Sequence, residues 1–272
     1  MTIQTTIITL NDVAYAIHQM GMGDPMLILH GFTGSGRAFI QHLSPLSDTY
    51  QLIAPDLLGH GQSASPSDPM RYEMPHAITD LKALLDNLHI DTCYLLGYSM
   101  GGRLALGFAL THPERVSALI LESSSAGLAH ASERTARIDS DEALAKRIIV
   151  GGIEAFVDEW EKLPLWASQA PHIRQALRLQ RLNNNPIGLA NSLRGMGTGA
   201  QPYWGDRVSS LTMPVLYLTG ALDDKFTSIA SQMIRHTPRG MHITIAGVGH
   251  AVHLEAPGGY IHAIRAFLQQ VQ

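Results

Sequence analysis

Residues 97–101 read Gly97-Tyr98-Ser99-Met100-Gly101, a G-x-S-x-G pentapeptide with a strand candidate at 93–96 before it and a helical stretch at 102–110 after it. A serine at so sharp a strand-to-helix turn stands in strained backbone, and small residues on both sides let the chain pass while the hydroxyl stays exposed. The following helix aims its first N–H groups at the same point, a natural place for developing negative charge. A Gly-rich turn with no chemistry is the bland alternative for five residues alone. The strand before and the helix after are the context that the chemical reading requires.

A serine hydroxyl is weak as a nucleophile or base by itself, so a carboxylate and then a histidine are expected further along the chain. Strand candidate 215–220 runs into Thr219-Gly220-Ala221-Leu222-Asp223-Asp224-Lys225, and candidate 241–246 runs into Gly247-Val248-Gly249-His250. Both loops follow strand C-termini, where open α/β sheets collect catalytic groups. Asp223 and Asp224 compete for the orienting position, and His250 and His253 for the base. Asp223, which first completes the turn, and His250, directly after Gly249, are favoured. That leaves Asp224 solvated and His253 as packing or as support behind the base. A third loop, His30-Gly31-Phe32-Thr33-Gly34-Ser35, closes another strand. Its glycines let backbone N–H groups converge, so the N–H groups of Phe32 and Met100 are the expected oxyanion hole.

Strand candidates recur at 5–10, 13–18, 26–30, 50–54, 93–98, 116–122, 215–220 and 241–246. Most are apolar on both faces, as strands covered by helices on both sides are. The first two, joined near Asn11-Asp12, look like an antiparallel hairpin. The clearest helix spans 75–89, where Ile78, Leu81, Leu84, Leu85 and Leu88 recur at steps of three and four and Pro75 suits the first turn. From 127 to 206 there is no convincing strand, only helical stretches. The expected architecture is α/β: a mostly parallel central sheet flanked by helices, built from 1–126 and 207–272, with 127–206 inserted as a helical cap.

The 272 residues, 45% of them hydrophobic, suffice for one large core. Nineteen Lys+Arg against 23 Asp+Glu give a formal charge of -4, which supplies no field for nucleic acid or anionic lipid. A lone cysteine, Cys93, excludes an intrachain disulfide and a Cys-rich metal site. The first ten residues lack the features of a secretory signal, and the most apolar stretch, 94–110, is interrupted by glycines and Arg103. The expectation is a soluble, cytoplasmic protein that inserts into no membrane. The oligomeric state stays open, a homo-oligomer included.

Together His30-Gly31-Phe32, Pro55-Asp56-Leu57-Leu58-Gly59-His60-Gly61-Gln62-Ser63, the pentapeptide and Gly249-His250 resemble the α/β-hydrolase superfamily over the whole chain. That fold hosts esterases, C–C hydrolases, lyases and receptors, so finer features must decide. Gly97-Tyr98-Ser99-Met100-Gly101-Gly102-Arg103, Glu133-Arg134-Thr135-Ala136-Arg137, Asp158-Glu159-Trp160, Arg181-Leu182-Asn183-Asn184-Asn185 and Asp223-Asp224-Lys225-Phe226 resemble the 2-succinyl-6-hydroxy-2,4-cyclohexadiene-1-carboxylate (SHCHC) synthase family, MenH, of menaquinone biosynthesis. The resemblance implies a lyase that needs no metal or organic cofactor. Its substrate would be a small polycarboxylate held by Arg103, Arg137 and Arg181, with Tyr98 and Trp160 walling the pocket. Residue chemistry points the same way. Arg103 lies one helical turn after Ser99, and its side chain leans back toward the hydroxyl. Guanidinium forks bind carboxylates bidentately. Arg134 and Arg174 read as solvated helix faces. Two other readings use the same residues: a carboxylesterase or C–C hydrolase with Ser99 as nucleophile, and a ligand-binding receptor with a near-inert triad.

Overall fold

The computed structural model describes residues 2–271. Its eight strands are β1 (Gln4–Leu10), β2 (Val13–Met20), β3 (Asp24–Leu29), β4 (Tyr50–Pro55), β5 (Cys93–Tyr98), β6 (Val116–Glu122), β7 (Val215–Gly220) and β8 (Gly240–Ile245). They form one sheet in the order β1-β2-β4-β3-β5-β6-β7-β8. β1 and β2 pair antiparallel around Asn11 and Asp12, both at positive φ, and β2 meets β4 antiparallel. From β4 to β8 every pairing is parallel. Each expected strand is present: β5, β6 and β7 have the expected bounds, and the ends of the others move by one or two residues.

Two-residue periodicity splits the apolar strands between two cores. Leu27, Leu29, Leu95, Leu119 and Leu121 face one side, where α2 (Met74–Asn87), α3 (Met100–Thr111) and α7 (Asp224–Met233) pack. Met26, Ile28, Leu96, Ala118 and Ile120 face the other, under α1 (Gly36–His42) and α8 (Pro257–Val271). Helix α2 covers most of the expected 75–89. It ends at Asn87, capped by Leu88, because His89 turns to φ 55, the left-handed region that ends a helix. Helix α3 starts two residues before its expected 102, directly after Ser99.

Between β6 and β7 the chain is helical: α4 (Ala131–Trp160), α5 (Pro171–Leu182) and α6 (Pro186–Met196). α4 kinks at Gly152, whose φ of 76 and ψ of 176 lie outside helical values. The insertion has a small core of its own, with Ala145, Ile148, Phe156, Val157, Leu189, Ala190 and Leu193 buried together and Phe32 packed against it. The run Asn183-Asn184-Asn185 joins two helices. Asn183 ends α5, while the Asn185 side chain accepts from the N–H groups of Ile187 and Gly188 and starts α6. No helix among the described residues is long and apolar enough to cross a membrane.

Candidate active site

Ser99 sits between β5 and α3 at φ 51 and ψ −108, an uncommon conformation for a residue with a side chain. Its neighbours explain how the chain tolerates the turn. A Cβ on Gly97 would lie 2.4 Å from the Gly101 carbonyl oxygen, and one on Gly101 2.2 Å from that of Leu29. Surrounding bonds hold the strained residue: Ser99 N–H donates to Glu122 O at 2.9 Å, and Ser124 Oγ donates to Ser99 O at 3.1 Å. Met100 opens α3, so its N–H has no acceptor within the helix.

His250 Nε2 lies 3.1 Å from Ser99 Oγ, and His250 Nδ1 lies 2.6 Å from Asp223 Oδ2. An ionised carboxylate only accepts, so the proton is on Nδ1 and Nε2 is free to accept from the serine hydroxyl. Asp223 is the N-cap of α7 and receives Phe226 N–H on Oδ1 at 3.3 Å, which turns Oδ2 toward the histidine. Asp224, the first helical residue, is exposed. His253 belongs to a different pair: Nδ1 is 2.8 Å from Glu122 Oε1, and its N–H reaches the same oxygen at 3.1 Å. That pair is buried behind Tyr98, whose ring centroid is 4.7 Å from that of His253.

The 30–35 loop rests on a buried polar network built from His18 and from the quoted segment 55–63, to which the sequence assigned no individual roles. His30 Nε2 accepts from Leu57 N–H at 2.9 Å, so Nδ1 carries the proton and donates to Gly31 O at 2.8 Å. Burial lowers the His30 pKa and keeps the ring neutral. Asp56 receives Gly36 N–H at 2.7 Å and Gln62 N–H at 2.8 Å, and His18 Nε2 lies 3.2 Å away. Burial alone would raise the Asp56 carboxyl; its bonds and the neighbouring histidines more than offset this and lower it. The motif residues His30 and His60 meet with ring centroids 5.1 Å apart. Phe32 stacks edge-on against His60, Phe156 and Trp160, joining the loop to the insertion.

A cavity of about 260 Å³ opens over Ser99, walled by Phe32, Tyr98, Met100, Trp160, Trp166 and His250. Arg103 and Arg137 line it. So does Lys225, a cation present in the quoted motif but given no role from sequence. Asp141 is the carboxylate on its wall, bonded to Arg137 Nε at 2.8 Å, and burial raises its pKa despite that partner. Arg181 lies elsewhere. It lines an adjoining cavity of about 50 Å³ that shares Phe32, Tyr98 and Trp166 with the first. There it pairs with Glu161 at 3.3 Å and stands 5.2 Å from the Trp166 ring centre. Arg134 and Arg174 are not merely solvated. Arg134 donates to the carbonyls of Leu128 and Ala129, and Arg174 to those of Ala167 and Gln169, because the chain entering each helix folds back within reach. Among the described residues no group of three or more His, Cys, Asp or Glu is placed to hold a metal ion.

A mostly parallel sheet carrying a serine on a strained elbow, with His and Asp on the loops after its last two strands, defines an α/β hydrolase. A family model described as alpha/beta hydrolase fold matches residues 24–257. A Bacillus subtilis (strain 168) protein named "Putative 2-succinyl-6-hydroxy-2,4-cyclohexadiene-1-carboxylate synthase" is 42% identical, covering 98% of this chain and 99% of its own. The synthase of that name from Yersinia pestis bv. Antiqua (strain Nepal516) is 32% identical over 90% of this chain and 88% of its own. MenH from S. aureus superposes with a TM-score of 0.89 at 35% identity, covering 95% of this chain and 98% of that one. The chain therefore belongs to the α/β-hydrolase fold family and, within it, to the SHCHC synthase (MenH) family. A thermophilic esterase from Thermogutta terrifontis, solved with malate bound, is also similar, at 26% identity and TM-score 0.86, covering 98% of this chain and 99% of that one.

Proposed function

We propose that this chain converts 2-succinyl-5-enolpyruvyl-6-hydroxy-3-cyclohexene-1-carboxylate (SEPHCHC) into SHCHC and pyruvate, a lyase step of menaquinone biosynthesis. The observation that carries the reading is a hydrogen-bonded Ser99–His250–Asp223 chain beneath a cavity fronted by Arg103, Arg137 and Lys225. Such a cavity suits a small polycarboxylate. The names of the similar synthases give the product, SHCHC.

In this mechanism His250 accepts the Ser99 proton as Ser99 Oγ removes the proton on the succinyl-bearing ring carbon, made acidic by the adjacent succinyl carbonyl. The electron pair moves through the succinyl-conjugated system, and the bond from the ring to the enolpyruvyl oxygen breaks. The N–H groups of Phe32 and Met100 hold the enolate charge during transfer. The departing enolpyruvate takes up a proton at carbon and becomes pyruvate. Arg103 and Arg137 grip the carboxylates. Arg181 adds its charge from the adjoining cavity, where it stays paired with Glu161. Tyr98 and Trp160 shape the walls, and segment 127–206 works as the cap on a core of 1–126 and 207–272. The chain acts in the cytoplasm without a cofactor.

The test is a coupled assay with SEPHCHC made in place by the preceding pathway enzyme, following pyruvate and the SHCHC diene absorbance after subtracting the spontaneous reaction. Both products should form, and Ser99→Ala should abolish the accelerated rate. Near-normal turnover by Ser99→Ala would remove Ser99 as the base. The esterase similarity favours a second reading, ester hydrolysis with Ser99 as nucleophile. An acyl-enzyme trapped on Ser99, with no SHCHC formed, would establish it instead.

A further inference from the structure

Arg103, the cation closest in sequence to the elbow, is held in an unusual way. Its Nη1 donates to the Met196 carbonyl at 2.7 Å and to Oε1 of Gln201, a buried side chain just beyond α6. Both acceptors are uncharged. A guanidinium taken out of water ordinarily meets a carboxylate. The acid whose field reaches Arg103 is Asp141, and its Oδ1 is committed to Arg137 Nε. Burial, then the Arg137 charge, push the Arg103 pKa down to about 9, which still leaves the group charged at neutral pH.

The Gln201 amide is itself fixed. Its backbone N–H donates to Gly197 O at 3.1 Å and Nε2 to Pro202 O at 3.4 Å. Gly127 makes room for it, since a Cβ there would lie 2.7 Å from Gln201 Nε2. The orientation in which Oε1 faces Arg103 is thus imposed by the surroundings.

We propose that Gln201 is a positioning residue that sets the preference of the Ser99 cavity for anionic substrates: its neutral amide aims Arg103 without neutralising it. A glutamate at this position would make the same hydrogen bond and cancel the charge that an incoming carboxylate needs. The inference rests on the reading of the cavity as a carboxylate site.

Full-length Gln201→Glu and Gln201→Met variants test it, with KM and kcat for SEPHCHC and the affinity for succinate, a simple dicarboxylate probe, measured by calorimetry. In Gln201→Glu, KM should rise and succinate affinity fall by about tenfold, with kcat within about threefold, because substrate carboxylates keep their charge from ground state to transition state. Gln201→Met keeps the cation and loses only its guide, so KM should rise by roughly threefold. Equal losses in both variants, or unchanged KM and succinate affinity in Gln201→Glu, would overturn the inference. So would a wild-type chain that binds no succinate. If the wild type binds succinate but leaves SEPHCHC unchanged, the synthase reading fails and the succinate titrations still decide the role of Gln201. Should Gln201→Glu not fold, the KM of Gln201→Met decides: a rise sustains the role and an unchanged value ends it.

Discussion

Asn184 Nδ2 donates to the carbonyl oxygen of Thr33 at 3.1 Å, tying the end of α5 to the loop that carries Phe32. Thr33 has φ 66, a conformation that a side chain disfavours, and Gln180 Nε2 reaches the same carbonyl at 3.3 Å. The helical insertion thereby holds a backbone segment of the catalytic core, which explains why a triple asparagine so far from Ser99 in sequence belongs to the same machinery.

Asn184→Ala is expected to lower kcat by about tenfold, since a loosened Phe32 N–H loses part of the roughly 3–4 kcal/mol that one oxyanion-hole donor supplies. Folding stability should fall by only about 1 kcal/mol for the lost bond. Single-turnover kinetics beside a urea titration separates the two. Reduced stability with an unchanged chemical step would mean that Gln180, His30 and Asp56 hold the loop without Asn184.

The paired acids at 223 and 224 should behave oppositely. Asp223→Asn leaves His250 without its carboxylate and favours the wrong tautomer, so kcat should drop on the order of a thousandfold. Asp224→Asn changes an exposed helix residue and should leave kcat within about twofold. Steady-state rates on the two purified variants settle it, and a severe loss in Asp224→Asn would reverse the assignment.

Arg103 and Arg181 should differ in weight. Arg103→Leu removes a cation that lines the Ser99 cavity and should cost about 2 kcal/mol, roughly thirtyfold in kcat/KM. Arg181→Leu acts from the adjoining cavity and should cost several-fold less, provided the side chain stays with Glu161. A comparable loss in both would show that Arg181 turns into the main cavity when substrate binds.

Acid should destabilise the fold through its buried histidines. Burial, then the neighbouring His30, push the His60 pKa down to about 3; burial, then His253, push His42 to about 4. Both titrate near 6.5 when the chain unfolds. Between those values the unfolded chain binds protons that the folded chain refuses. Stability is therefore complete above about pH 6.5 and falls as the pH drops, by at most ~1.4 kcal/mol per pH unit for each group. Urea midpoints at about pH 7.5 and about pH 5 should differ, and His60→Asn should narrow the gap. A gap unchanged in His60→Asn would place the proton uptake elsewhere.

Most of the fold was legible because apolar runs of strand length and helices of three- and four-residue period are local patterns. Less legible were side chains whose partners lie far along the chain. Gln201 carries no signal of its own: it matters through Arg103, 98 residues earlier. Glu122 and His253, 131 residues apart, form a buried pair that neither suggests alone. Lys225 stood inside a quoted motif, yet only the cavity wall reveals which way it faces.

By itself the sequence determined the α/β architecture, the strained Ser99 elbow and the order of serine, carboxylate and histidine, because each depends on residues adjacent in the chain. It also narrowed the orienting acid and the base to two neighbours each. Tertiary structure decided between those neighbours. Asp223 became the N-cap whose free oxygen meets His250, while Glu122 drew His253 into a separate buried pair next to Tyr98. It also put Arg103 and Arg137 on the Ser99 cavity and Arg181 in the next one, since the direction of a long charged side chain is set by the partners that packing brings within reach.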